Sequence, residues 1–162
     1  MKLHILKNQI QLANQKTNRF ISEISGEKWL ETPKVIKTNM NWQIGHIILA
    51  NYLHGIASIS GANEEFRGMV NVSDFILLYG PKSDPNQAFE NKPSKDKLLK
   101  IYAFTMTTIF ENLDRIVDQD LDLNTEVPNP AVKTKYEALM WLSQHQSWHN
   151  GQIALLKRIL DL

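Results

Sequence analysis

Residues 134–160 read TKYEALMWLSQHQSWHNGQIALLKRIL. Thr134 and Glu137 stand at the spacing of a capping box, in which each side chain satisfies a backbone N–H of the other's turn. Leu139, Leu142, His145, His149, Ile153, Leu156 and Leu160 follow at three-four spacing and so share one helical face. Lys157 and Arg158 fall in the last turns, where cations complement the helix dipole. This is one long amphipathic helix, and its apolar stripe can be buried only against other helices.

Three further segments have the same character. Leu3 to Ser25 carries Leu6, Ile10, Ala13, Thr17, Phe20 and Ile24, with Gly26 as its expected stop. Met40 to Ser60 puts Trp42, His46, Leu49, Leu53 and Ile56 on one stripe, with Thr38 or Asn39 as cap and Gly61 as stop. Gly45 and Gly55 lie inside it, each costing ~1 kcal/mol against alanine, which is tolerated best where another backbone or a ligand comes close. Ser94 to Asp118 follows Pro93, with Ser94 as cap. Residues 61–93, with Val72 to Tyr79 as one or two helical turns, make an unusually long connection, and 119–133 read as a loop. The expectation is an all-α protein, a four-helix bundle filling residues 1–162 as one domain.

Composition excludes several classes of function. The chain has no cysteine, which removes disulfides, thiolate metal sites and a cysteine nucleophile. Its net charge of +1 has no clustered Lys or Arg, so no nucleic-acid partner is expected. Met1 to Gln15 lacks a continuous apolar core of signal-peptide type, and Ile47-Ile48-Leu49-Ala50 is far too short to span a bilayer. A cytoplasmic protein without a membrane partner is expected.

The histidines carry the chemistry. His145 and His149 stack one turn apart on one face. Alone, such a pair is as readily two hydrogen-bonded core residues as two ligands. His46 on the inward stripe of a second helix shifts the balance toward a metal held between facing helices. The pair is not a zinc-protease signature, because Gln146 stands where the general-base Glu would be. His54 is read as closing the end of the bundle and His4 as a surface residue. Trp42 and Trp141 each precede a histidine by four, as an aromatic pocket wall or as core, with core favoured for Trp141. Gln152 follows His149 by three and either orients a ligand from behind or packs on a neighbour. Glu64 and Glu65 read as surface carboxylates, and no general base is identifiable.

The combination of Trp42-Gln-Ile-Gly45-His46-Ile with His145-x3-His149-Asn-Gly151-Gln152-Ile153 resembles the DinB/YfiT-like superfamily of helical-bundle metalloenzymes, over essentially the whole chain. The resemblance implies an up-down-down-up bundle with a long crossover between helices two and three. It implies a divalent metal, zinc or nickel, on His46, His145 and His149, and a homodimer. It also implies a small-molecule substrate. Characterised relatives include transferases of low-molecular-weight thiols such as bacillithiol or mycothiol. Three neutral imidazoles leave a metal its full charge and an open position. Thiol S-transfer is therefore expected first, metal-dependent hydrolysis second, and a non-catalytic metal-binding role third.

Overall fold

Side chains at three-four spacing are buried along each long helix of the computed structural model, which describes residues 1–88 and 92–160. Among the described residues six α-helices form and there is no strand, only a single antiparallel bridge between Asn124 and Thr134. Helix α1 (Lys2–Glu23) buries Leu6, Ile10, Ala13 and Thr17. It ends at Ile24, which is extended; Gly26 is not its stop but opens a 3-10 turn, Gly26–Lys28. Trp29 follows, buried, with its Nε1 donating to the Ile24 carbonyl at 3.3 Å.

Helix α2 (Met40–Asn51) is capped by Asn39, whose side chain accepts from Trp42 N. It continues through a π-helical segment, Tyr52–Ala57, and a last turn, Ser58–Ser60. The apolar spacing does not announce the π segment. At its end the Ser58 hydroxyl donates to the Leu53 carbonyl five residues back, at 2.7 Å. Gly61, at φ +88°, ends the run in a region that glycine enters freely. The crossover holds two short helices rather than one, α3 (Glu64–Met69) and α4 (Val72–Tyr79), each capped by an asparagine side chain. Its residues 89–91 lie outside the described residues. Helix α5 (Lys95–Arg115) starts at Ser94 as expected, and α6 (Lys135–Leu160) starts from the Thr134–Glu137 box, in which Glu137 Oε2 accepts from Thr134 N at 3.0 Å. A 3-10 turn, Asp118–Asp122, lies between them.

Helix α1 packs on α5 and α6, and α2 packs on the same two helices while α4 covers its remaining side. That cover corrects the expected stripe of α2. Trp42, Leu49 and Leu53 are only half-buried, whereas Met40, Ile44, Ile47 and Ile48 are fully enclosed. A helix clasped from three sides has no single apolar face. Among the described residues no helix is long and apolar enough to cross a membrane.

The two glycines of this run mark close contacts with side chains. A Cβ on Gly45 would stand 2.2 Å from Cδ1 of Tyr79, and one on Gly55 would stand 2.5 Å from Leu142 Cδ1 and 2.7 Å from Ile109 Cδ1. Gly45→Ala gains helix propensity of ~1 kcal/mol but must displace the buried Tyr79 ring. We expect a net loss of about 1–3 kcal/mol from overpacking, measured by urea denaturation. An unchanged midpoint would mean that Tyr79 does not hold α4 against α2.

Candidate metal centre

The N-cap at Asn39 fixes where α2 begins and so which residues turn toward α6 two turns later. His46 faces His145 and His149 there. His145 Nε2 lies 3.2 Å from His46 Nε2 and 3.2 Å from His149 Nε2. One ligand atom from each of the three lies within 4.8 Å of the others, so the group can hold a metal ion. His46 and His149 are buried and His145 is half-buried. The sequence reading thus named three side chains that the fold does bring together.

The far sides of the rings decide which nitrogens carry protons. His46 Nδ1 donates to the Tyr79 carbonyl at 2.6 Å, and His149 Nδ1 donates to Gln43 Oε1 at 2.6 Å. A neutral imidazole has a single N–H, so both rings turn a bare Nε2 inward. His145 cannot satisfy them. With its proton on Nε2 it serves its neighbours but leaves Nδ1, which is buried and without a hydrogen-bond partner among the described residues, empty. With its proton on Nδ1, three lone pairs confront one another. Protonation is no escape near neutrality. Burial pushes His149 down to about 3 and His145 down to about 4, with neighbouring imidazoles adding to each, and burial lowers His46 against the opposing Tyr79 carbonyl. A cation at the centre satisfies all three lone pairs at once. The spacing suits it, since nitrogens about 2.05 Å from a tetrahedral zinc stand about 3.3 Å apart.

The surrounding residues sort differently from the expectation. Trp42 does not form a free wall. It stacks on His46, with centroids 4.7 Å apart and planes 8° apart, and its Nε1 donates to Ser83 Oγ at 2.8 Å. Gln152 is exposed and, among the described residues, makes no hydrogen bond to a histidine. Its Oε1 accepts from Gln43 Nε2 at 2.7 Å, so it reaches His149 only through Gln43. Gln43 is the residue that sequence reasoning missed, although its place three before His46 puts it on the same side of α2. Trp141, expected in the core, is half-buried and lines a cleft of about 390 Å³ beside His145, with Gln144, Ser147 and the exposed Trp148. A larger groove, about 780 Å³, runs between α1 and α6 and includes none of the three histidines. His54 is buried two turns along, accepting from Asn129 Nδ2 at 3.0 Å, and burial pushes it down to about 4. Glu64 and Glu65 are exposed on α3, and His4 is exposed on α1.

Gln146, between the two α6 histidines, points the other way. Its Nε2 donates to Thr17 Oγ1 at 2.7 Å and Tyr102 OH at 2.8 Å, and its Oε1 accepts from Asn51 Nδ2 at 3.0 Å. A carboxylate at this position would meet the core, not the metal face. We expect Gln146→Glu to cost about 3 kcal/mol or more as an unpaired buried charge, seen in denaturant unfolding, without creating a general base at the site.

The lowered histidines also set a pH dependence. Their folded-state values lie below the ordinary 6.5 of an unfolded histidine, so the unfolded chain binds more protons in between. Stability of metal-free protein is then full above about pH 6.5 and falls as pH drops toward the folded values. The melting temperature of chelator-treated protein should be flat from pH 8 to 7 and decline between pH 6.5 and 5, before the carboxylates titrate. A melting temperature unchanged across that interval would show that the imidazoles accept protons freely in the folded state.

No curated protein matches the chain significantly. A family model does, over residues 9–153, a span that takes in α2, the whole crossover, α5 and all three histidines. With that match and an all-helical fold that brings the three imidazoles together, the chain belongs to the DinB superfamily.

Proposed function

We propose that His46, His145 and His149 are the ligands of one divalent metal ion, zinc or nickel, and that the protein is a metal-dependent enzyme acting on a small molecule by thiol transfer. The observation that carries this reading is the pair of Nδ1–H groups held by Tyr79 and Gln43, which leaves two buried Nε2 lone pairs facing a third imidazole. The framework that supports it, in our reading, is a four-helix bundle running up-down-down-up. In it α1, α2, α5 and α6 are the four members and the 61–93 crossover returns the chain so that α2 and α5 run the same way. The packing of α1 and α2 each on both α5 and α6 favours that arrangement.

A metal with three neutral ligands supplies a site that lowers the pKa of a bound thiol or water. The protein's own residues do the rest. Tyr79 and Gln43 orient two of the rings. Trp42 covers one face of His46 and keeps water from it. The cleft beside His145, walled by Trp141 and Trp148, is the approach we assign to the small molecule. Thiol transfer is preferred to hydrolysis because, among the described residues, the ligand-type side chains gathered at the site are three histidines with no carboxylate to act as base.

Protein purified without a histidine tag should carry one metal per chain, and His46→Ala should lose it. Full metal retention in that variant would show that other residues are the ligands. Metal-loaded protein should conjugate a low-molecular-weight thiol to monochlorobimane, and chelation should stop the reaction. Turnover with esters but not thiols would move the assignment to hydrolysis, and no turnover with either would move it to a non-catalytic metal protein.

A further inference from the structure

A primary amide has two unlike ends, an oxygen that only accepts and an NH2 that only donates. Gln43 has both N–H groups and its oxygen engaged within the protein. Its Nε2 donates to Thr38 Oγ1 at 2.8 Å and to Gln152 Oε1 at 2.7 Å, and its Oε1 accepts from His149 Nδ1 at 2.6 Å. Turned over, Gln43 would present Nε2 to His149. His149 would then accept at Nδ1 and carry its one proton on Nε2, the atom 3.2 Å from His145 Nε2. A nitrogen that carries a proton there is no ligand.

Thr38 does not decide between the two arrangements, because a hydroxyl both donates and accepts. Gln152 does decide. It is exposed, so its own amide can turn over with the free end in water. The reversed chain also runs without a break, Gln152 Nε2 to Gln43 Oε1, Gln43 Nε2 to His149 Nδ1 and His149 Nε2–H to His145 Nε2, although it leaves the second N–H of the buried Gln43 amide unpaired. That second arrangement removes the confrontation between His149 and His145 in the metal-free centre, while the lone pairs of His46 and His145 still face each other.

We propose that Gln152 is a positioning residue that sets the tautomer of His149 through the amide of Gln43. An acceptor at position 152 selects the tautomer that binds a divalent cation, and a donor selects the one that refuses it. The inference rests on the ligand assignment above. Glutamine, which offers either end, lets the metal-free protein hold both tautomers and lets the cation choose one.

The test uses Gln152→Glu, Gln152→Lys, and Gln152→Lys combined with Gln43→Glu. Nitrogen-15 shifts of the His149 ring are read in chelator-treated protein, and zinc affinity is read by competition with a chromophoric chelator. Gln152→Glu should fix the proton on Nδ1 and bind zinc at least as tightly as the unsubstituted protein. Gln152→Lys should move the proton to Nε2 and weaken zinc by roughly 10–100-fold, the usual scale for losing a ligand's orienting partner. In the double variant the carboxylate at 43 can only accept, so the Nδ1 proton and the affinity should both return although the lysine remains. Identical His149 tautomers in the Glu and Lys variants would overturn the proposal. Weakening that persists in the double variant although the Nδ1 proton has returned would also overturn it, by separating affinity from the tautomer. If the unsubstituted protein binds no zinc, the ligand assignment fails, while the shift series in metal-free protein still supports or refutes the relay by itself.

Discussion

A buried imidazole that gives its Nδ1 proton to an oxygen presents a bare nitrogen at its other end. The protein does this twice, with His46 on the Tyr79 carbonyl and His149 on Gln43, and faces both rings toward His145. One of those oxygens comes from α2 itself, on Gln43, and the other from the crossover. Tyr79 is the last residue of α4, so its carbonyl is one of the acceptors that a helix end leaves without an internal partner, at the negative pole of the helix dipole. The crossover therefore delivers a helix C-terminus to the back of a histidine. Gly45 makes the approach possible, since a side chain there would occupy the space of the Tyr79 ring.

The same crossover is tied down beyond α4. Trp42 Nε1 is held by Ser83, and Asn39, the cap that sets the start of α2, donates from Nδ2 to the Pro85 carbonyl at 3.2 Å. Helix start, stacked indole and ligand orientation thus depend on one stretch of chain packed along one side of α2. This explains why that helix is enclosed on three sides, where its sequence alone suggests a single inward stripe.

Much of this was legible in the residues. Three-four spacing located the long helices, and Asn39, Ser94 and the Thr134–Glu137 box act as the caps their residue types imply. The three histidines could be picked out because each sits on an apolar face where an unpartnered imidazole would be costly. What could not be read has a common cause. The Tyr79 partner is a main-chain carbonyl, which no residue type encodes. Gln43 matters through atoms more than a hundred residues away in the chain, on α6. Trp148 and Trp141 look like core by type and line a cleft because α6 turns that face outward beside His145. The π segment leaves the apolar pattern nearly unchanged while rotating everything after it.

The amide between the two α6 histidines has a mechanical meaning. Gln146 is bonded to α1 through Thr17, to α5 through Tyr102 and to α2 through Asn51. Neighbouring positions on a helix differ by about 100° around its axis. Any twist of α6 that swung His145 or His149 off the centre would have to tear this three-way knot from a dry interior. The glutamine therefore works as a key in a shaft. It holds the rotational setting of the helix, so the imidazoles behind it stay aimed at one point when nothing is bound there.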